Sequence, residues 1–161
     1  GPVHKSDVKG VTLNVNSSAF VEKEFKRLMS IEGATGVLMQ KMAEGIELFI
    51  GAKAEPNYGH LILCGLGGIF IEALGDVASA FSPVSKKEAA HMIASLKGHS
   101  VFEGIRGKEP LDKTYFVELI QRISALTQVA PEIEELDLNP ILAKGDEMIA
   151  VDSRVRISKN S

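Results

Sequence analysis

Asp137 and Asn139 stand two residues apart in Leu136-Asp137-Leu138-Asn139-Pro140, and Asp152 follows thirteen residues after Asn139 in Ile149-Ala150-Val151-Asp152. Residues two apart on a strand project from one face, so a strand here turns the carboxylate and the amide to the same side. Pro140 lacks an amide hydrogen and marks a strand end or an edge. A second short strand ending at Asp152 would bring another carboxylate to that spot. Two carboxylates and an amide carbonyl are hard oxygen ligands, the kind that hold Mg²⁺ together with phosphate groups. The same residues also suit an Asx-rich strand end, where Asp and Asn side chains accept from nearby backbone amides. Spacing alone leaves these two readings level.

Other groups could join such chemistry. Gly65-Leu66-Gly67-Gly68 follows an apolar run, but position 70 is Phe and Ile69-Phe70-Ile71-Glu72 reads as extended chain. That departs from the dinucleotide fingerprint, which needs a third glycine opening a helix. What remains is a glycine-rich turn between strands, or a loop whose backbone amides approach a phosphate. His4, in His4-Lys5-Ser6-Asp7, would ordinarily be a solvated surface group, although neutral imidazole is also a nucleophile toward phosphorus. Glu47 and Lys53 share a strand face, either as solvated charges or as a polar floor under a nucleotide. Arg106, between Gly104 and Gly107, is a solvated loop cation or a clamp for a carboxylate or phosphate.

The 161 residues suffice for one domain or two small lobes with a real core, and the formal net charge is −3. Lysines and arginines are scattered, which speaks against nucleic acid as a partner. The single cysteine, Cys64, lies in the apolar run Leu61-Ile62-Leu63-Cys64 and reads as core. One cysteine makes no internal disulfide and fits a reducing, cytoplasmic compartment. No apolar run approaches the ~20 residues of a membrane helix, and no signal peptide is visible. Gly1-Pro2 reads as a protease-cleavage remnant, and 158–161 as a frayed polar tail.

The elements that must position these residues follow from periodicity. Strands are expected at 11–15, 36–42, 46–53, 60–64 and 77–81, and short ones near 135–138, 141–143 and 148–151. In 46–53, Ile46, Leu48, Ile50 and Ala52 form one face; Glu47, Phe49, Gly51 and Lys53 form the other. Helices are expected after Ser17 or Ser18, with Val21, Phe25, Leu28 and Met29 as their stripe, and after Ser85-Lys86-Lys87-Glu88, a capping box. A third should run over about 112–129 with Phe116, Leu119, Ile120, Ile123 and Leu126 inward. Strands in runs rather than strict strand–helix alternation predict an α+β fold, a mixed, mostly antiparallel sheet backed by helices.

Taken in order, several segments resemble the ATP-grasp domain of the NDP-forming acyl-CoA synthetases (acetate–CoA ligase, ADP-forming), which is akin to the nucleotide-binding subunit of succinyl-CoA synthetase. They are His4-Lys5-Ser6-Asp7-Val8-Lys9-Gly10-Val11, Gly36-Val37-Leu38-Met39-Gln40-Lys41-Met42, Gly65-Leu66-Gly67-Gly68-Ile69-Phe70-Ile71-Glu72, Arg106-Gly107, and Glu135-Leu136-Asp137-Leu138-Asn139-Pro140 with Val151-Asp152. The resemblance covers 3–157 and implies the larger, C-terminal part of an ATP-grasp domain. It implies that Gln40, Lys41 and Met42 meet the adenine edge and that Glu47, Lys53, Gly67 and Gly68 lie near ATP or ADP. Asn139 and Asp152 would hold Mg²⁺ with Asp137 beside them, and Arg106 would clamp phosphate. His4 would carry phosphate toward ADP in acyl-CoA + ADP + phosphate ⇌ acid + CoA + ATP.

The sequence departs from the family in lacking the lysine-bearing strand and N-terminal lobe before His4, and the CoA-binding and ligase domains. Those domains, in the same protein or a partner subunit, are the implied partners; an oligomer is compatible, and the chain alone is expected not to turn over. A second reading is a regulatory synthetase-like domain of a protein acetyltransferase, binding nucleotide or acyl-CoA without turnover. Retention of Asp137, Asn139 and Asp152 favours the catalytic one.

Overall fold

The structure, a computed structural model, describes residues 10–68, 75–104 and 109–158. They fall into two units, Gly1–Met42 and Ala43–Ser161. His4, Arg106 and the run 69–72 expected to be extended lie outside the described residues.

The first unit contains helix α1 (Ser18–Met29). Ser17 is its cap, the side-chain oxygen accepting from the Phe20 amide at 3.3 Å. The chain before it is tied to the helix by side chains. Thr12 Oγ1 donates to Glu24 Oε2 (2.6 Å), Arg27 Nε donates to the same oxygen (2.7 Å), and Arg27 Nη2 donates to Thr12 Oγ1 (2.8 Å). The hydrogen bond from Thr12, then that from Arg27, holds the Glu24 carboxyl below its usual range. The strands expected at 11–15 and 36–42 do not form. An alternating run becomes a strand only where a neighbour takes up its backbone groups, and among the described residues neither run has one.

The second unit is built on a six-stranded antiparallel sheet. Its strands are β1 (Ile46–Glu55), β2 (Gly59–Leu66), β3 (Val77–Phe81), β4 (Ile133–Lys144), β5 (Glu147–Ala150) and β6 (Ser153–Ile157), in the order β3-β2-β1-β4-β5, with β6 also on β4. Helices α2 (Lys86–Ser95) and α3 (Lys113–Val129), with a 3₁₀ turn at His99–Phe102, cover one face. Leu48, Ile50 and Ala52 of β1 and Ile62, Cys64 and Leu66 of β2 meet Ala89, Met92, Ile93, Phe116 and Ile120 in one core. Burial there pushes the Cys64 thiol up to about 12. The capping box opens α2 with both bonds made: Glu88 N–H to Ser85 Oγ at 3.2 Å, and Ser85 N–H to Glu88 Oε2 at 2.9 Å.

Within this unit, α3 and the strands around Pro140 also differ from the sequence-based expectation. The α3 stripe is rotated: Leu126 is exposed, while Val117, Ser124 and Thr127 are buried. The polar pair is inward because it satisfies the segment leading into α2. Ser82 Oγ donates to the Ser124 carbonyl (3.0 Å), Val84 N–H to Ser124 Oγ (2.8 Å), and Thr127 Oγ1 to Ser82 Oγ (3.2 Å). The two short strands expected around Pro140 are one strand, β4, running through it. Leu48 pairs with Ile141 but Ile50 with Leu138, so Asn139 and Pro140 together oppose Phe49. This β-bulge tolerates the missing proline amide inside a sheet.

Candidate functional site

Alternation along β1 turns Leu48, Ile50 and Ala52 to the helices and Glu47, Phe49, Gly51 and Lys53 to the opposite, open face. The bulge keeps both halves of β4 in phase with that division. Leu136 and Leu138 before it and Ile141 and Ala143 after it all pack toward the core. Without the extra residue, one half would be inverted. Asp137 and Asn139 are thereby held on the open face, where Gly51 pairs with Asp137.

The two-residue link between β5 and β6, Val151-Asp152, supplies the third member. Val151 N–H donates to the Pro140 carbonyl (3.0 Å) and Asn139 N–H to the Asp152 carbonyl (3.3 Å), so Asp152 lies alongside Asn139. Its carboxylate accepts from the Ser153 amide at 2.8 Å and is otherwise exposed. Burial raises the Asp137 carboxyl above its usual range; the Arg154 cation opposes this, and the negative charges of Glu135 and Asp152 reinforce it. The carboxylates are thus close enough to repel one another, an arrangement that a bound cation would relieve. Among the described residues no three Asp, Glu, His or Cys side chains form a cage. The donor set of two carboxylates and an amide therefore suits an ion that keeps waters or substrate oxygens, as Mg²⁺ does.

A raised carboxyl binds its proton longer in the folded than in the unfolded chain. Stability therefore falls as pH rises from the unfolded value, about 3.8, through the higher folded one, and stays lower above it. Asp137→Asn is expected to melt higher than the parent at pH 7 and level with it at pH 3. Saturating Mg²⁺ should narrow the neutral-pH gap, since the parent, with both carboxylates, gains more from the ion than the variant. Melting curves at the two pH values check this; an equal offset between variant and parent at pH 3 and pH 7 would remove the electrostatic account.

The glycine loop meets Glu47. Gly67 N–H donates to the Glu47 carbonyl at 2.6 Å. A Cβ on Gly67 would stand 2.9 Å from that of Glu47, and one on Gly68, whose φ is +59°, 2.7 Å from Glu47 Oε2. The absence of side chains lets the loop lie directly against the Glu47 stem. Lys53 shares the face but sits six residues along β1 from Glu47, about 20 Å at strand rise. It pairs with Glu55 instead (Nζ–Oε1 3.0 Å). Gln40, Lys41 and Met42 end the first unit as exposed chain without regular structure. Sequence reasoning missed β6, and with it Arg154, which pairs directly opposite Asp137. The alternation in Ser153-Arg154-Val155-Arg156-Ile157 was the available signal.

Comparison with known proteins fits this geometry. A family model described as an ATP-grasp domain matches residues 2–157. The chain is 38% identical over 160 residues to acetate–CoA ligase (ADP-forming) I of Archaeoglobus fulgidus, covering 95% of this chain and 23% of that protein. It is 34% identical over 161 residues to the beta subunit of acetate–CoA ligase (ADP-forming) I of Pyrococcus furiosus, covering 95% of this chain and 69% of that subunit. The dinucleotide forming acetyl-coenzyme A synthetase 1 of Ca. Korarchaeum cryptofilum was solved with coenzyme A and Mg-AMPPCP, its phosphohistidine segment pointing towards the nucleotide binding site. It superposes with a TM-score of 0.85 at 33% identity, over 97% of this chain and 71% of that one. The chain thus spans about a quarter of the full-length ligases and about two thirds of the separate beta subunits. With its antiparallel sheet, helices on one face and bulged β4, the chain belongs to the ATP-grasp domain family, in the form that ADP-forming acid–CoA ligases carry.

Proposed function

We propose that this chain is the nucleotide-binding part of an ADP-forming acid–CoA ligase, in which phosphate passes between a phosphohistidine and ADP. The observation that carries this reading is the bulge in β4, which puts Asp137 and Asn139 on the open face of the sheet beside Asp152. Asn139 and Asp152, with Asp137 beside them, would hold Mg²⁺, which when bound neutralises charge on the nucleotide phosphates. Gly67 and Gly68 pack closely against Glu47, and a loop bare of side chains lets its backbone approach a phosphate-bearing ligand. The protein groups chiefly orient and screen, the usual division of labour in phosphoryl transfer.

The remaining roles rest on family likeness: His4 as phosphate carrier, Gln40, Lys41 and Met42 for the base edge, Lys53 near the nucleotide, Arg106 as phosphate clamp. On this reading the other lobe and the CoA-binding and ligase domains belong to other parts of the same protein or to a partner subunit, in the cytoplasm. The beta-subunit relatives support that division. Among the described residues no helix is long and apolar enough to cross a membrane.

Calorimetric titration of ADP tests the proposal. Binding is expected with Mg²⁺, and at least ~10-fold weaker affinity in EDTA, the loss that ~1.4 kcal/mol represents. Equal affinity in EDTA, or no binding with Mg²⁺, overturns it.

A further inference from the structure

We propose that Arg154 is the cation that meets the nucleotide's phosphates beside the metal, an inference that rests on the nucleotide-binding reading above. The backbone pairs on this edge of the sheet form a ladder. Asn139 lies beside Asp152, Asp137 opposite Arg154, and Glu135 opposite Arg156. Residues two apart share a face, so Asp152, Arg154 and Arg156 line the open side together with Asn139, Asp137 and Glu135.

The two arginines have different surroundings. Arg156 is engaged, its Nε 3.1 Å from Glu134 and its Nη2 3.4 Å from Glu135. Arg154 is exposed and makes no ion pair or hydrogen bond with a described residue, although it stands across from a carboxylate. It is also one strand repeat, about 7 Å, from Asp152. A guanidinium at that distance is within reach of phosphates gathered at Asn139 and Asp152. Its planar fork matches two phosphate oxygens at once. An arginine serving only as a counter-ion for Asp137 would be expected to close on it, as Arg156 closes on its glutamates. Arg154 makes no such close pair, and its position opposite Asp137 puts it on the face on which the metal ligands lie.

The test measures ADP with Mg²⁺, and adenosine, by calorimetry in the parent, Arg154→Gln, Arg154→Lys and Asp152→Asn, with melting curves for each. Arg154→Gln should bind ADP ~10-fold or more weakly, the loss of a charge-assisted contact, while adenosine affinity and melting temperature stay near the parent's. Arg154→Lys should recover part of the affinity, since it keeps the charge and loses the fork. Parent-like ADP binding by Arg154→Gln with weakened binding by Asp152→Asn overturns the role of Arg154 and leaves the nucleotide reading standing. Parent-like binding by both variants overturns the metal assignment and this inference with it. Equal losses of ADP and adenosine affinity also overturn the inference, because they mark Arg154 as a structural residue.

Discussion

Asp152→Asn is expected to weaken Mg²⁺-dependent ADP binding by ~10-fold to 100-fold while leaving the melting temperature of the nucleotide-free chain nearly unchanged. The magnitude is a lower bound from metal sites in general, where even outer partners of the ligands account for that much affinity. The substitution separates the two roles that the sequence left open for Asp152. Its carboxylate accepts from the Ser153 amide at 2.8 Å, and an asparagine carbonyl can accept the same bond. The local turn between β5 and β6, and the Asn139–Asp152 backbone contact, therefore survive. The negative charge does not survive, and a strand-end residue has no need of it. Asn139→Ala should act in parallel, removing the amide oxygen while its backbone N–H still donates to the Asp152 carbonyl. Unchanged ADP affinity in both variants, with Mg²⁺ saturating, would return these residues to the role of strand-end caps.

The parts of this arrangement that were legible in the sequence are those fixed by local chemistry. The capping box at Ser85 and Glu88 is complete within four residues, and both bonds form. The two faces of β1 follow from period-two alternation, so Glu47 and Lys53 were correctly put on one side. Asp137 and Asn139 were correctly paired for the same reason. What was hidden depends on partners distant in sequence. The continuity of β4 through Pro140 requires Phe49 across the ladder to accept two residues in place of one, and no local signal reports that. The rotation of α3 follows from Ser124 and Thr127 bonding to the Ser82–Val84 segment some forty residues earlier. Hydropathy counts those side chains as outward, whereas bonding makes them core. The runs 11–15 and 36–42 carry strand-like patterns yet pair with no described residue, because pattern expresses a preference and pairing requires an edge.

The glycine loop divides into a structural and a ligand-facing part, and substitution should separate them. Gly65→Ala is expected to destabilise the chain by about 3 kcal/mol, at the upper end of overpacking costs. A Cβ at Gly65 would overlap the Asp76 carbonyl oxygen and stand 2.6 Å from Phe49 Cε1. Neither neighbour is free to move. The Asp76 backbone precedes Val77, which pairs with Gly65 itself, and the Asp76 carboxylate accepts from the Lys97 and Gly98 amides at 2.7 and 2.8 Å. Shifting it would loosen the end of α2 along with the edge strand. Phe49 is buried against Gly65 on the otherwise open face, opposite the β4 bulge, so its displacement would also disturb Asn139. Gly68→Ala differs in kind. Its added methyl meets only the Glu47 carboxylate, the end of a flexible side chain, and the positive φ adds roughly 1 kcal/mol. That variant should stay folded and lose ADP affinity, while Gly65→Ala should show its loss first in the denaturant midpoint. A Gly65→Ala midpoint equal to the parent's would mean that β2 and β3 can part without cost at Asp76, and that the tight seam beneath the glycine loop does not hold the sheet together.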